Sequence, residues 1–410
     1  MIHTVFSPLI YVNAKRHHFD YNTDNYPLEA TMFTHFHRFL LSLLLVTVTQ
    51  ASLENTTCKK CHPVIFQEYQ NSMHAKASIF KDPVHKAVWD LHPAKKKGNY
   101  KCAKCHTPSD HDLLSGKHPL KENPIQINEP VSCQACHTIK SIEAHTKANK
   151  NIYTNTPKYF YSADKTKKGQ KVIFKEEKSF FGLITETSGS PYHDIDYSNE
   201  NFYDGKMCLG CHDHKQNGKG FAICDLQIKQ GDSKETCISC HMQKVKGSLA
   251  NQTQSAKHAF HGANIHHKPI DLSRYIKLTL EKNTEGFDIH IKNEATHTLF
   301  PQPLRLSQLR VTIERAEDKH VLEPVNFKRV IGTEGKPSMP WLATEVISDS
   351  TIKALETRKV TYHTPLKKGD SVIVTFGYYI TDPKAAQKLG ITDSEATRFI
   401  PLKEQRFTIE

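Results

Sequence analysis

One short pattern, C-x-x-C-H, recurs five times in a chain of 410 residues and constrains its fold more than any other feature. The five copies use ten of the eleven cysteines and leave only Cys224 outside the pattern. They are Cys58-Lys-Lys-Cys61-His62, Cys102-Ala-Lys-Cys105-His106, Cys133-Gln-Ala-Cys136-His137, Cys208-Leu-Gly-Cys211-His212 and Cys237-Ile-Ser-Cys240-His241. Any fold for this chain has to bring two thiols and one imidazole together at five places.

C-x-x-C-H is the attachment sequence for c-type haem, whose vinyl groups react with the two thiols. The adjacent histidine is then held under the porphyrin, where its imidazole can bind the iron. Three other interpretations of the cysteines are a zinc site, a redox dithiol and a disulfide framework. Zinc sites need an even set of such pairs, and neither zinc nor a disulfide requires a histidine after every second cysteine. We therefore predict five covalent haem c groups, with Cys224 as a small core residue.

An export signal is expected, because c-type haem is attached outside the bacterial cytoplasm. The stretch MFTHFHRFLLSLLLVTVTQAS begins at Met32; it has a basic start at Arg38, an apolar run over 39–48 and small residues around Ala51. A membrane anchor is the alternative, but a span needs about 20 apolar residues. We expect a cleaved signal peptide over 32–51, an upstream extension without structure over 1–31, and a periplasmic protein with no membrane span.

The formal net charge of the chain is +12. A basic protein favours acidic partners, nucleic acid or anionic membrane surfaces. Here the propionate groups of the haems offset the lysines, and the sequence contains no nucleic-acid recognition motif. We therefore expect no binding to nucleic acid, and we expect redox proteins of the periplasm as partners.

The composition changes near residue 269. All five motifs lie within 52–268, where so little chain is available per porphyrin that the haems themselves have to form the core. We expect a mainly α and irregular pentahaem cytochrome domain there, with a poorly structured insert over 140–195. Beyond it, alternating apolar and polar residues over 275–281, 287–293, 309–314 and 371–380 predict strands. The fold class is thus a multihaem cytochrome domain followed by a C-terminal all-β, sandwich-like domain over 269–410.

Histidine is abundant, with 26 in the chain. Sixteen of those beyond residue 51 lie outside the motifs, and twelve of the sixteen fall within 52–268. Each haem iron has two axial positions, of which the motif histidine fills one. An electron carrier usually fills the other as well, often with a second imidazole. We expect four or five of the sixteen histidines to bind iron.

Several segments resemble multihaem c-type cytochromes with a cytochrome c-554 type domain. They are CKKCHPVIFQEYQNSMHAKA (58–77), VSCQACHTIKSIEAH (131–145), SPYHDIDYSNENFYDGKMCLGCH (190–212), CISCHM (237–242) with KHAFHGA (257–263), and NEATHTLFPQPLR (293–305). The resemblance implies that the distal iron ligands are His74, His145, His193 and His258, with His118 and His297 as further candidates. His85, His92 and His261 are held in reserve. The fifth motif departs from the four-haem form of the family, and the resemblance does not assign each distal histidine to its iron.

Two classes of function follow from the ligand inventory. An electron-transfer protein would fill both axial positions of its irons, and the many histidines favour this class. An oxidoreductase would keep one haem open for a small nitrogen or sulfur compound, and whether the protein is an enzyme is left undecided. Some pentahaem enzymes carry a C-x-x-C-K motif, which this sequence lacks. A third class, in which the β-domain is the working part, has no cluster of cysteines or carboxylates to support it.

Overall fold

The structure is a computed structural model that describes residues 54–156, 159–179, 181, 183–229, 234–247, 255–260 and 269–410. The predicted upstream extension, the predicted signal peptide over 32–51 and His261 lie outside these residues. Within the described ranges, no helix is both long enough and apolar enough to cross a membrane. Residues 52–410 form one compact unit.

The helices are short, and most of them lie in the first half of the chain. They are α1 (Asn55–Lys59), α2 (Pro63–Gln70), α3 (Pro83–Leu91), α4 (Ala103–His106), α5 (His111–Leu114), α6 (Pro124–Asn128), α7 (Cys133–His137), α8 (Asn201–Asp204), α9 (Leu209–His212), α10 (Cys237–His241), α11 (Pro383–Leu389) and α12 (Ser394–Thr397). Short 3₁₀ helices cover Pro93–Lys97, Lys165–Lys167, Lys206–Cys208 and Pro269–Tyr275. Helices this short are not stable alone in water, so tertiary contacts and bound groups have to hold them.

Small sheets lie along the chain between the third motif and residue 257. Their strands are β1 (Ile139–Glu143), β2 (Lys150–Tyr153), β3 (Tyr159–Tyr161), β4 (Lys171–Val172), β5 (Lys175–Ser179), β6 (Ile184–Ser188), β7 (Asp194–Asp196), β8 (Lys215–Gln216), β9 (Ala222–Cys224), β10 (Lys244–Lys246) and β11 (Ser255–Lys257). Four of these sheets are two-stranded antiparallel pairs, while β3, β7 and β4 form a three-stranded sheet. The expected poorly structured insert over 140–195 therefore contains ordered strands, and the expectation of a mainly α and irregular region holds only in part.

The C-terminal region consists mainly of antiparallel sheets, as the alternating pattern predicts. Its strands are β12 (Ile276–Lys282), β13 (Phe287–Asn293), β14 (Leu306–Arg315), β15 (Asp318–Val321), β16 (Val325–Phe327), β17 (Arg329–Thr333), β18 (Lys336–Pro337), β19 (Glu345–Asp349), β20 (Thr357–Tyr362), β21 (Ser371–Tyr379) and β22 (Ile400–Thr408). One sheet has the order β12-β13-β20, and a second has the order β15-β14-β21-β22 with β16 also paired to β14. A third sheet has the order β18-β17-β19.

The apolar side chains of the first two sheets share one core. Alternate residues of β13 and β21, such as Ile289, Ile291, Val372, Val374 and Phe376, have no exposed surface. Period-two alternation places such residues on one face of each strand, which is why the two sheets can bury them against each other. The buried apolar clusters of the region that contains the five motifs are far smaller.

The β-region packs directly on the helical region. Ala386 of α11, together with Ile391, forms a small apolar cluster with Val84 and Ala87 of α3. Pro383 at the start of α11 suits the first helical turn, because the missing N–H is not needed there. Asp382 caps this helix by accepting a hydrogen bond from the backbone N–H of Lys384. The contact joins the two regions beside the second motif.

Candidate haem-binding site

Each C-x-x-C-H motif folds as a single helical turn. The N–H of His62 donates to the carbonyl of Cys58 at 2.8 Å, and His106 donates to Cys102 at 3.0 Å. Residues three and four apart lie on one face of a helix, so both thiols and the imidazole point the same way. Ser132 and Thr236 cap the third and fifth of these turns with their hydroxyl oxygens. The described cysteines form no disulfide, which leaves all ten motif thiols available for thioether bonds.

Four motif histidines each face one histidine from elsewhere in the chain. The separations between ring centres are 6.4 Å for His62 and His193, 6.0 Å for His74 and His212, 5.8 Å for His137 and His258, and 6.1 Å for His241 and His297. Four of the six predicted distal ligands, His74, His193, His258 and His297, are thus brought beside motif histidines.

These separations suit a metal ion between two imidazoles. A histidine nitrogen binds a metal at about 2 Å, and the ring centre lies about 1 Å further, so two opposed rings have centres about 6 Å apart. The four pairs agree with this value within a few tenths of an ångström. The residues present therefore fit haem iron with two histidine ligands at the first, third, fourth and fifth motifs.

Burial keeps these imidazoles in the form that binds metal. It lowers the pKa of His258 to about 3 and that of His74 to about 4, in each case with help from the motif imidazole opposite. The pKa values of His137 and His212 also fall below the ordinary range, again chiefly through burial. A neutral imidazole has a free lone pair, so none of these four residues has to lose a proton before it binds iron.

Backbone carbonyls orient some of the rings. Nδ1 of His137 lies 2.7 Å from the carbonyl oxygen of Tyr161, and Nδ1 of His297 lies 3.0 Å from that of Thr298. With Nδ1 donating to a carbonyl, Nε2 is the nitrogen that remains for the metal. Strand β3, which was not predicted from the sequence, supplies the first of these carbonyls.

The second motif is different. The ring centres of His85 and His106 are only 3.9 Å apart, which is too close for an iron between them. Both Nδ1 atoms lie 3.2 Å from the same acceptor, the carbonyl oxygen of Ala77. Two rings anchored on one acceptor direct their Nε2 atoms away from it, so the nitrogens do not oppose each other. Nε2 of His85 instead lies 3.3 Å from the hydroxyl of Tyr100. The residues fit haem attachment with His106 as the proximal ligand, but His85 does not fit as the distal one.

Thiols of different motifs lie close together. Cys133 lowers the pKa of the Cys58 thiol, Cys211 lowers that of Cys105, and Cys208 lowers that of Cys237, so each pair of thiols is adjacent. Phe160 stacks on His193 at 4.8 Å and on His137 at 6.0 Å, and so joins the first and third sites. Phe260 lies 5.4 Å from His74 and 6.1 Å from His258, and so joins the fourth and third.

The two other predicted ligands lie elsewhere. His145 is exposed, and its Nδ1 accepts the N–H of Lys147. Nε2 of His118 lies 3.1 Å from the carboxylate of Asp110, and its Nδ1 lies 2.8 Å from the carbonyl of Pro119. Neither has a motif histidine as a ring neighbour in the described part of the chain.

Cys224 is half-buried, and burial raises the pKa of its thiol to about 11. A thiol with this pKa is protonated and unreactive, as expected for a small packing residue. Among the residues that the structure describes, no three His, Cys, Asp or Glu side chains are grouped to hold a metal ion by themselves. The donor arrangement there is therefore not the closed four-ligand set that structural zinc takes.

The chain is similar to known proteins in part of its sequence and in its fold. Residues 57–138 match the family described as cytochrome c554 and c-prime. The fold is similar to that of a penta-heme cytochrome c552 from Thermochromatium tepidum, with 22% identity, a TM-score of 0.66, and coverage of 87% of this chain and 99% of that chain. A Northeast Structural Genomics Consortium target, SoR45, has a TM-score of 0.17 at 13% identity over 33% of this chain and 89% of that one, too low to support an inference. A comparison with curated proteins finds no match in sequence.

Proposed function

We propose that this chain, a multihaem c-type cytochrome, transfers electrons through five covalently bound haems and works outside the cytoplasm. Bound haem supplies an iron that exchanges one electron between its ferric and ferrous states. The observation that carries the proposal is the set of four imidazole pairs at 5.8–6.4 Å. An iron with two protein ligands has no free position for a substrate, so these four sites are suited to electron transfer alone.

The order of the sites along the electron path follows from the neighbouring thiols. The first site adjoins the third through Cys58 and Cys133, and the fourth adjoins the fifth through Cys208 and Cys237. Phe260 connects the ligands of the third and fourth sites. The path therefore runs from the first motif to the third, fourth and fifth. The second site branches from the fourth, where the thiols of Cys105 and Cys211 are adjacent.

The β-region takes part in this path. His297 lies just after strand β13 and faces His241 of the fifth motif, so the β-region supplies one ligand of the terminal site. Hydrogen bonds from the N–H of Thr298 to the carbonyl of Leu226 and from the hydroxyl of Thr298 to the Gln227 side chain hold this segment in place. The β-region thus fixes the end of the path.

A second function is favoured at the second motif alone. His106 has no imidazole opposite it among the described residues, because His85 lies beside it. An iron with one protein ligand can bind a small nitrogen or sulfur compound and exchange electrons with it. This second function is the oxidoreductase alternative.

Carbon monoxide titration of the fully reduced holoprotein tests both functions, because carbon monoxide binds ferrous haem only at an open position. We expect five haems per chain by mass, a mature start at Ser52, and one carbon monoxide bound per protein. Binding at two or more haems would contradict the four imidazole pairs. Binding at none would leave electron transfer and remove the second function.

A further inference from the structure

A continuous series of aromatic rings leads from the second motif to the protein surface. His85 neighbours Tyr100 at 5.8 Å between ring centres, Tyr100 neighbours Trp89 at 4.8 Å, and Trp89 neighbours His92 at 5.6 Å. The ring of His92 then lies 4.7 Å from that of Trp341 in the β-region. The series contains both tryptophans of the chain. Trp89 and Tyr100 are buried, whereas Trp341 is only half-buried.

The outer end of this series has an apolar centre. Leu91 is 56% exposed and Leu342, next to Trp341, is 46% exposed. A groove of about 580 Å³ is lined by Asp90, Leu91, His92, Pro93, Lys95 and Lys96, and it adjoins Trp341 through His92. Leu91 precedes His92, whose ring contacts Trp341, and an exposed apolar surface with a half-buried tryptophan is typical of the centre of a protein interface, where aromatic anchors carry much of the affinity.

The rim of the groove is basic. Lys95, Lys96 and Lys97 are consecutive and exposed on the 3₁₀ turn Pro93–Lys97. Asp90 is the carboxylate that lines the groove, and it is already paired with Lys86 at 2.5 Å and Lys95 at 2.7 Å. Lys96 and Lys97 form no ion pair within the described ranges, so the rim carries an excess of positive charge.

We propose that this surface, formed by Leu91, Lys95–Lys97, Trp341 and Leu342, is the docking site of an acidic electron-carrier protein. The inference rests on the proposed electron-transfer function. The lysines attract an acidic partner and set its orientation, while the leucines and Trp341 pack against it. With haem bound at the second motif, its iron would accept one electron from the carrier, which would be oxidised by one electron, with no bond broken and no proton moved.

A lipid surface or a second copy of the chain would place different demands on this region. An anionic membrane requires charge over a broad face, whereas here the basic residues surround one groove with an aromatic connection to a redox site. A second copy would have to meet this basic rim with an acidic one, and the excess of lysine opposes such self-association. An acidic carrier satisfies both the charge and the position of the aromatic series.

The test uses the holoprotein and a reduced plant-type [2Fe–2S] ferredoxin, a strongly acidic carrier, in stopped-flow mixing at low ionic strength. The variant Lys96→Glu/Lys97→Glu reverses two rim charges. The matched control Lys165→Glu/Lys175→Glu makes the same change of net charge at two exposed lysines that also form no ion pair in the described part of the chain. Reduction by dithionite, which needs no docking, shows whether each variant keeps intact haems.

We expect the rim variant to lose about tenfold or more of the second-order rate constant at low salt, and the control to stay within about twofold. NMR titration of labelled ferredoxin should show the same loss of binding, and this readout does not depend on electron transfer. Equal losses in the two variants would show that only net charge matters and would overturn the proposal.

Other outcomes also overturn the proposed docking site. One is that the rim variant binds ferredoxin as the parent does but loses binding to phosphatidylglycerol vesicles, which would identify a membrane surface. Another is a parent dimer that the rim variant disrupts. If instead ferredoxin binds at the rim and no haem is reduced, the docking site stands and the electron-transfer function fails. Trp341→Ala should lower both the affinity for ferredoxin and the rate within the saturated complex, and Trp341→Phe should restore most of both.

Discussion

Phe160 offers a sharp test of how the first and third sites are held together. This residue is 7% exposed and lies on strand β3. Its ring stacks on His193 at 4.8 Å with 7° between the ring planes, and on His137 at 6.0 Å with 16°. The side chain thus packs against the predicted distal ligand of one iron and the proximal ligand of another. Removing it leaves a cavity between the two.

The expected cost follows from this burial. Truncating a buried phenylalanine to alanine costs about 3–5 kcal/mol, which includes the cavity that remains. Two aromatic contacts place Phe160→Ala toward the upper part of that range. Phe160→Leu keeps most of the volume and loses only the stacking, so we expect a cost of about 1–2 kcal/mol.

Phe181→Ala is the matched control. Phe181 is fully exposed in the turn between β5 and β6, so the same truncation should change the free energy of unfolding by less than about 0.5 kcal/mol. The assay is guanidinium unfolding of the holoproteins, followed by haem absorbance and by far-ultraviolet circular dichroism. The role assigned to Phe160 fails if Phe160→Ala is no more destabilising than Phe181→Ala.

Three further predictions concern ligation, folding and acid stability. His258→Ala should convert one more haem to high spin, with added imidazole restoring it, whereas His145→Ala should leave the electron paramagnetic resonance spectrum of the parent unchanged. Replacing Cys102 and Cys105 by alanine should make 54–260 sensitive to protease while the β-region stays resistant, because the free energy of haem ligation contributes to folding there. Equal protease resistance of the two regions would contradict this. Arg315 holds the pKa of Asp370 at about 2, below the unfolded value of about 3.9, so this carboxylate stabilises the fold fully above about pH 4 and loses its effect as pH falls through 2. Thermal melts between pH 2 and pH 7 should show that Asp370→Asn is less stable than the parent near pH 7 and as stable as the parent near pH 2. A difference in stability that stays constant across that range would refute the prediction.

Local pattern predicts the strands of the β-region because alternation is a property of neighbouring residues. The predicted strand over 287–293 coincides with β13, and 371–380 differs from β21 by one residue. Motif spacing likewise suffices to place both thiols and the proximal imidazole on one helical turn. Neither inference needs contacts between distant parts of the chain.

Distal ligands are harder to predict because they come from distant parts of the chain. His74 follows His62 by twelve residues but faces His212, and helix α2 ends at Gln70, before it reaches His74. His145 resembles a nearby ligand in sequence, yet the structure leaves it exposed. The abundance of histidine shows that ligands are present, but the folded chain decides the pairs.

The geometry at the second motif cannot be predicted from the amino-acid sequence. Nothing in the sequence around His85 distinguishes it from other residues of α3. Its position beside His106 is seen only in the folded chain, where both rings contact the carbonyl of Ala77. The small sheets between residues 139 and 257 are equally hard to predict. Strands such as β4 and β8 contain two residues each, too few for any alternation to be visible.

A count of spin states in the fully oxidised holoprotein tests the central claim most directly. Electron paramagnetic resonance distinguishes irons with two imidazole ligands, which are low-spin, from an iron with one, which is high-spin. Combined with a pyridine haemochrome assay for total haem, we expect five haems per chain, four low-spin and one high-spin. Two or more high-spin irons would contradict the four imidazole pairs, and five low-spin irons would contradict the open position at His106.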